Sequence, residues 1–248
     1  MLAAERQAKI VELVREQGSV QVEELAQELN VSAMTIRRDL VKLQEEDRLT
    51  RCHGGAVIKE EVTYADKQTS NIDAKKELAK KAAAFVKSGD TVFLDAGTST
   101  YEIAKLIKDI ENLMVVTNDL EIARLLNGSE ADVMICGGKI QKSTGSMFDR
   151  YATKMLEDFQ FDVGFFGAAS INDKFEVMTP TLDKMWLKRE VPKKCTKSYL
   201  VADESKFHRQ ARTKINHLAD FTGVITNQKF EKKERELLEK TGCHTIEI

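Results

Sequence analysis

Two short stripes of apolar residues near the start of the chain follow the period of an α-helix. Between them, Asn30 can adopt the left-handed conformation that ends a helix, and Ser32 can cap the helix that follows. A further helix is predicted upstream, over residues 5–16. The pattern indicates two helices joined by a tight turn and supported by a third. The apolar stripes consist of Val22, Leu25, Ala26 and Leu29, and of Ile36, Leu40 and Leu43.

A short hairpin is predicted after these helices. Residues 48–57 have the pattern of two short strands around a bend at the Gly54 and Gly55 pair, with basic side chains on the first strand. Helices, turn and hairpin in this order are typical of a winged helix-turn-helix domain, and we assign residues 1–58 to it. Its candidate DNA contacts are polar or exposed side chains of the second helix and the wing, namely Ser32, Met34, Thr35, Arg37, Arg38, Lys42, Arg51 and His53.

The charge of this segment limits the strength of the predicted DNA contact. Residues 1–58 carry eight Lys or Arg and ten Asp or Glu, and the whole chain has a formal net charge of −2. We therefore expect each DNA-binding head to bind modestly, and a homo-oligomer to read its site with two heads. The alternative is a helical packing domain whose arginines are only solvated.

Residues 59–73 are polar and lack a clear period, which predicts a linker before a second domain over residues 74–248. The four cysteines are dispersed without a CxxC pair, and no apolar run is long enough to cross a membrane. We therefore expect a cytoplasmic protein with reduced thiols, no metal, no cofactor and no membrane partner.

The second domain alternates short apolar runs with helical segments, which predicts an open, mostly parallel α/β sheet. Strands are expected at residues 91–94, 113–116, 131–136, 163–166, 199–201, 224–226 and 245–248. Helices are expected at residues 75–87, 101–107, 120–126, 150–158, 182–194 and 232–240.

Small and polar residues follow four of the predicted strands, at 95–100, 117–119, 137–139 and 203–206. Ligands of open α/β sheets bind at the carboxyl ends of the strands, where these residues would meet. Amides and hydroxyls suit a phosphate, carboxylates suit sugar hydroxyls, and lysines supply positive charge. Each segment alone is equally typical of a helix cap or a turn, but their repetition at one edge indicates a pocket.

Seven segments of the chain resemble conserved blocks of the DeoR-type bacterial transcriptional regulators. The resemblance implies a sensor domain similar to ribose-phosphate isomerases, glucosamine-phosphate deaminases and CoA transferases, which commonly senses phosphorylated sugars. The segments are VSAMTIRRDLVKLQ, LTRCHGGAV, TVFLDAGTST, VVTND, ICGGK, FFGAASI and LVADESKF. By this resemblance the residues that line or support the effector site are Asp95, Gly97, Thr98, Ser99, Thr100, Asn118, Gly137, Gly138, Lys188, Asp203 and Lys206, with Lys75 matching a family lysine at the entrance of the domain.

The chain departs from the family pattern at several positions. Ala74 stands where an acid is usual, Cys52 replaces a common threonine, and Asn30 replaces a common glycine. The segment 176–186 is an unusual version of its region, which makes it a candidate for setting effector specificity.

These observations predict a repressor that holds double-stranded operator DNA and is released by a phosphorylated sugar. One alternative is a sugar-phosphate isomerase or deaminase-like enzyme with a DNA-binding appendage, for which Asp95 and Asp203 are candidate acids or bases. Another is an assembly protein that uses its first domain for partner contacts. The sugar, the operator sequence, the direction of the response and the number of subunits stay open.

Overall fold

The computed structural model describes residues 1–17, 19–46, 48–52, 54–57 and 63–248. Its N-terminal part contains three helices and three short strands. In chain order they are α1 (Ala3–Gln17), β1 (Ser19–Gln21), α2 (Val22–Glu28), α3 (Ala33–Glu45), β2 (Thr50–Cys52) and β3 (Gly55–Val57). The helices and the β2–β3 hairpin agree with the predicted order, and β1 was not predicted.

The turn between α2 and α3 has the predicted chemistry. Asn30 has a φ of 50°, and the Oγ of Ser32 accepts a hydrogen bond of 3.1 Å from the Thr35 amide. Leu25, at the centre of the first stripe, is 1% exposed, and Ile36 of the second stripe is fully buried. Both stripes therefore face one core, and the opposite side of α3 faces solvent.

The predicted hairpin is present, and β1 extends it to a three-stranded antiparallel sheet in the order β1-β3-β2. The pairing of β1 with β3 requires a glycine at position 55. A Cβ at Gly55 would lie 2.0 Å from the carbonyl oxygen of Val20, so only glycine allows β1 and β3 to pair. The sequence pattern missed β1 because three residues are too few to show a strand period.

The second part of the chain begins with two helices and continues with alternating strands and helices. In chain order the elements are α4 (Tyr64–Thr69), α5 (Ile72–Ala83), β4 (Thr91–Leu94), α6 (Thr98–Ile107), β5 (Met114–Thr117), α7 (Leu120–Leu126), β6 (Asp132–Ile135), β7 (Lys139–Gln141), β8 (Ser146–Phe148), α8 (Arg150–Glu157), β9 (Phe161–Gly167), β10 (Ser170–Ile171), β11 (Glu176–Thr179), α9 (Met185–Glu190), β12 (Cys195–Val201), β13 (Thr213–His217), β14 (Gly223–Thr226), α10 (Lys232–Lys240) and β15 (Thr245–Glu247).

The seven predicted strands form one sheet in the order β15-β14-β12-β9-β4-β5-β6, and every neighbouring pair is parallel. Side chains alternate between its two faces. On β4, Val92 and Leu94 belong to one hydrophobic core, and Phe93 belongs to the other. The prediction of an open, mostly parallel α/β sheet is confirmed.

Two small sheets were not predicted. The strands β7 and β8 form a hairpin, and β10, β11 and β13 form a three-stranded antiparallel sheet. These strands have two to five residues each, so they carry little of the alternation that marks a strand.

The segment expected as a linker is only partly irregular, because α4 and the start of α5 lie within it. The Tyr64 amide donates to the Ser143 carbonyl at 2.8 Å, so α4 is held against the second domain. No residue of α4 is fully buried, which is why the sequence shows no apolar stripe there. The predicted helix at 182–194 also differs: α9 ends at Glu190, and a 3₁₀ turn, Val191–Lys194, follows it with Pro192 near its start.

Within the described residues, no helix has the length and apolar character needed to cross a membrane. The same part of the chain contains no group of three or more His, Cys, Asp or Glu side chains placed to hold a metal ion.

Candidate functional site

A cavity of about 370 Å³ opens at the carboxyl ends of β4, β9 and β12. The ends of β4 and β12 are two of the four strand ends at which the sequence predicted a pocket. The loop between β4 and α6 forms one side, and the end of β11 with α9 forms another. A third side is formed by α4 and the start of α5, through Asp66, Lys67, Ser70, Asn71 and Lys75.

The cavity is rich in positive charge. Asp66 is the one acidic residue among its described lining residues, and two further carboxylates lie buried close to its lysines. A cavity of this charge favours an anionic ligand. The cationic residues that line it are Lys67, Lys75, Lys184, Lys188, Lys206 and Arg209.

The loop between β4 and α6 presents the first turn of α6 to the cavity. Neighbouring side chains fix the loop: Asn118 Oδ1 accepts from the Ala96 amide at 2.9 Å, and Asp119 Oδ2 accepts from the Gly97 amide at 3.0 Å. Thr98 and Ser99 then line the cavity at the start of the helix. Amides in a first helical turn have no carbonyl partner within the helix, so this end of α6 suits an anion.

Lys188 lines the cavity and forms an ion pair with Asp95 behind it. The Asp95 carboxylate is fully buried; its Oδ2 pairs with the Lys188 ammonium and accepts from the Gly167 amide at 3.1 Å. Lys188 also donates to the Gly167 carbonyl at 3.0 Å. The Asp95 side chain therefore positions the Lys188 ammonium at the cavity and does not itself line it.

Lys75 links α4 to the cavity. Its ammonium donates to the main-chain carbonyls of Lys67 and of Ser70, the latter at 2.6 Å. Burial, with the nearby charge of Lys206, lowers the pKa of Lys75 to about 8. Burial also lowers the pKa of Lys206, and the Asp203 carboxylate opposes this change. Two lysines that lose their protons more easily than usual thus lie at one end of the cavity.

The structure brings six of the predicted effector residues to the cavity wall and places four others behind it. Asp203 is one of the four: its Oδ1 accepts from Asn71 Nδ2 and from the Ser205 amide, each at 3.0 Å. The lining residues are Lys75, Gly97, Thr98, Ser99, Lys188 and Lys206, and the buried supporting residues are Asp95, Thr100, Asn118 and Asp203.

The structure does not bring Gly137 and Gly138 to this cavity, unlike the other predicted effector residues. They follow β6, which is the edge strand, and the chain turns there into the β7–β8 hairpin. A Cβ at Gly138 would lie 2.5 Å from the carboxylate of Asp149. Asp149 does not line the cavity. Their resemblance to a strand-end ligand loop reflects the tight turn instead.

Sequence reasoning missed three cations of the cavity, Lys67, Lys184 and Arg209. None of them directly follows a strand of the main sheet, which was the signal used. Lys67 lies in the segment expected as a linker, and Lys184 lies at the start of α9, beside the ring of Phe148 at 4.9 Å.

The predicted DNA-binding residues lie on the outer side of α3 and on β2. Met34 is 56% exposed, and Arg37 and Arg38 follow at the i+3 and i+4 positions of the same helix face. Lys42 is exposed one turn further on, and Arg51 is exposed on β2. His53 lies outside the described residues.

Three side chains of this region make contacts within the DNA-binding domain. Ser32 acts as the cap of α3, with its Oγ 2.9 Å from Thr35 Oγ1. Arg37 forms an ion pair of 3.1 Å with Glu23 of α2. Asp39 of the same helix points inward, where Arg6 Nε donates to it at 2.6 Å, so it anchors α3 on α1.

Comparisons with known proteins agree with this two-domain arrangement. The model of the DeoR-like helix-turn-helix domain matches residues 6–62, and the model of the DeoR C-terminal sensor domain matches residues 70–228. The HTH-type transcriptional regulator GlpR of Haloferax volcanii is 33% identical over 100% of this chain and 98% of its own. The putative aga operon transcriptional repressor of Escherichia coli O157:H7 is 31% identical over 98% of this chain and 93% of its own.

The lactose phosphotransferase system repressor of Staphylococcus aureus is 32% identical over 92% of this chain and 94% of its own length. Both family models, and three relatives that align along almost the full chain, describe regulators of transcription and not enzymes. The chain therefore belongs to the DeoR family of DNA-binding transcriptional regulators.

Proposed function

We propose that this regulator represses a carbohydrate-metabolism operon and that a phosphorylated sugar, bound in the cavity, releases it from its operator. The observation that carries the proposal is the cavity itself, with six lysine or arginine side chains and the first turn of α6 on its walls. The names of two relatives, a lactose phosphotransferase system repressor and a putative aga operon repressor, support a sugar operon.

The two kinds of lining group suit the two parts of such a ligand. The phosphate binds the amides of the first turn of α6 together with the ammonium groups of Lys75 and Lys206. The sugar hydroxyls bind neutral polar side chains of the lining, among them Ser70, Asn71 and Gln210. An unphosphorylated sugar has no phosphate to bind these amides and ammonium groups, so it binds more weakly.

Release from DNA follows from the position of α4. Asp66, Lys67 and Ser70 line the cavity, and these residues belong to the segment that leads from the DNA-binding domain into the sensor domain. A ligand that draws Lys75 toward its phosphate competes with the carbonyls of Lys67 and Ser70 for the ammonium. Ligand binding then favours a different placement of α4, which changes the geometry of paired DNA-binding heads.

The proposal includes a cytoplasmic homo-oligomer, because one head of modest affinity needs a second to hold an operator. The enzyme alternative loses its support, since the family consists of transcriptional regulators. The sensor domain was expected to begin at residue 74. We extend it toward the N-terminus to include α4, which lies within the segment expected as a linker.

A thermal-shift screen of the full chain against phosphorylated sugars and their unphosphorylated parents tests the proposal. A ligand that binds the native state raises the melting temperature, and we expect this from at least one sugar phosphate and not from its parent. The same compound is expected to reduce binding to genomic DNA selected by the protein, measured by fluorescence anisotropy. Stabilisation by no sugar phosphate, or turnover of one, would contradict the proposal.

A further inference from the structure

The outer strand β6 leaves one edge of the main sheet open. Strands of parallel sheets are normally buried on both faces, but Met134 and Ile135 of β6 are each 38% exposed. Adjacent residues of a strand point to opposite faces, so apolar surface is open on both sides of this edge. The other edge strand, β15, carries a charged side chain instead: Glu247 forms two hydrogen bonds, of 2.5 and 3.1 Å, with Arg235.

The backbone of β6 is also open on its outer side. The amides of Asp132 and Cys136 point toward β5: they donate at 2.9 Å to the carbonyl of Leu113, the residue before β5, and at 2.8 Å to the Thr117 carbonyl. Because backbone groups alternate along a strand, those of Val133 and Ile135 point away from β5. Within the described part of the chain, no strand pairs with β6 on that side. Such an edge is a template for a further strand.

We propose that this edge is the interface of a homodimer, in which β6 pairs antiparallel with β6 of a second copy. The twofold axis passes beside Met134. In this register Val133 of one copy lies opposite Ile135 of the other, and both residues have the outward backbone groups that a hydrogen-bonded pair needs. Met134 lies opposite its own copy in a non-hydrogen-bonded pair. Both faces of the new strand pair are then apolar.

Charge at the two ends of β6 supports a second copy in this orientation. Glu130 and Asp132, both exposed, lie at its start, and exposed Lys139 follows its end. Antiparallel pairing places the acidic end of one strand beside the basic end of the other, whereas parallel pairing places like charges together. The surface is therefore complementary to itself, as a closed twofold interface requires.

The interface does not depend on the effector. It joins two sensor domains and so supplies the two DNA-binding heads that a palindromic operator needs. It also lies on the sheet edge, away from the lining residues of the cavity. Failure of this interface would leave ligand binding intact, so the two proposals can be tested separately.

A cysteine cross-link in the full chain tests the register directly. Non-hydrogen-bonded antiparallel pairs have Cα atoms about 4.5 Å apart, which is within the range of disulfides. We expect Met134→Cys to give a covalent dimer on mild oxidation, seen on a non-reducing gel. Leu106→Cys, at a 47% exposed position of α6, is the matched control, and wild type reports the native cysteines. Cross-linking of Met134→Cys no greater than that of the control would overturn the proposal.

Mass measurement by light scattering gives a second test. We expect wild type to be a dimer or a multiple of it, and Met134→Lys and Val133→Pro to halve the mass. Proline is tolerated on an edge strand where its missing N–H pointed outward, so Val133→Pro should keep the fold. Leu106→Lys should keep the wild-type mass. A monomeric wild type, or Met134→Lys and Val133→Pro at full mass with normal circular dichroism, would overturn the interface.

Discussion

The Lys75 ammonium donates a hydrogen bond of 2.6 Å to the main-chain carbonyl of Ser70, directly after the last residue of α4. A cation of the cavity thereby holds the segment that leads to the DNA-binding domain. A ligand phosphate and a helix end compete for the same ammonium group, which gives the proposed coupling a specific chemical origin.

The first prediction concerns pH. The pKa of Lys75 is lowered to about 8, so Lys75 loses its charge as the pH rises through that value. A sugar phosphate is already fully ionised above pH 7, since its second pKa is about 6. Its affinity should therefore fall between pH 7 and pH 9, as measured by calorimetry on the full chain.

The matched variant is Lys75→Arg, which keeps the charge at every pH in this range because a guanidinium has a pKa above about 12. Its affinity should vary less with pH than that of wild type. An equally steep fall in Lys75→Arg would assign the pH dependence to another group.

The second prediction concerns Lys206. Lys206→Ala should weaken binding of the phosphorylated ligand by about 1.5–3 kcal/mol, roughly 10- to 150-fold, because hydrogen bonds to charged groups contribute that much. The unphosphorylated parent should lose far less. Lys240→Ala, at an exposed position of α10, is the control for the loss of one charge. Equal losses for both ligands would contradict a phosphate contact.

The third prediction concerns the Asp95 and Lys188 pair. Lys188→Met leaves the buried Asp95 carboxylate without its cation, which should lower the free energy of unfolding by about 3–5 kcal/mol. Asp95→Asn in the Lys188→Met background removes the stranded charge and should restore part of that loss. Urea denaturation of the two single variants and the double variant gives the coupling energy, and additive losses would show that the pair is not coupled.

The fourth prediction concerns the DNA-binding face. Arg38→Ala should weaken binding to selected DNA and reduce the slope of log K against log salt concentration by about 1, as expected for one lost phosphate contact. Arg124→Ala, at an 83% exposed side chain of the sensor domain, is the matched control. An unchanged salt slope would remove Arg38 from the phosphate contacts.

The fifth prediction uses the ion pair between Arg37 and Glu23. Both side chains are at least half exposed, so the pair contributes about 1 kcal/mol or less. Glu23→Gln frees Arg37 and removes a negative charge near the DNA, so DNA affinity should rise by up to about fivefold. Glu28→Gln on the same helix is the control for charge, and weaker DNA binding by Glu23→Gln would show that the pair positions Arg37 for its contact.

The sequence predicted the elements whose signal is local. Asn30 and Ser32 identified the turn, and the apolar runs identified all seven strands of the main sheet within a few residues. Polar residues after β4 and β12 lie beside the cavity, because parallel strands end at the same edge. These features depend on neighbours in the chain, which a sequence displays directly.

The features that the sequence did not predict depend on contacts between distant residues. Lys75 is buried against Lys67 and Ser70 only because α4 folds back on the sensor domain. Gly137 and Gly138 follow a strand as a ligand loop does, but their strand is at the edge of the sheet. Strand order decides which strand ends meet, and the strand order is not visible in a pattern of apolar residues.

The position of α4 has a consequence for building hybrid regulators. A fusion that joined a foreign DNA reader to this sensor at residue 74 would discard Asp66, Lys67, Ser70 and Asn71, and with them one wall of the receptor. A splice placed before Thr63 retains that wall. Such a hybrid should respond to the original sugar and bind the operator of the foreign DNA reader.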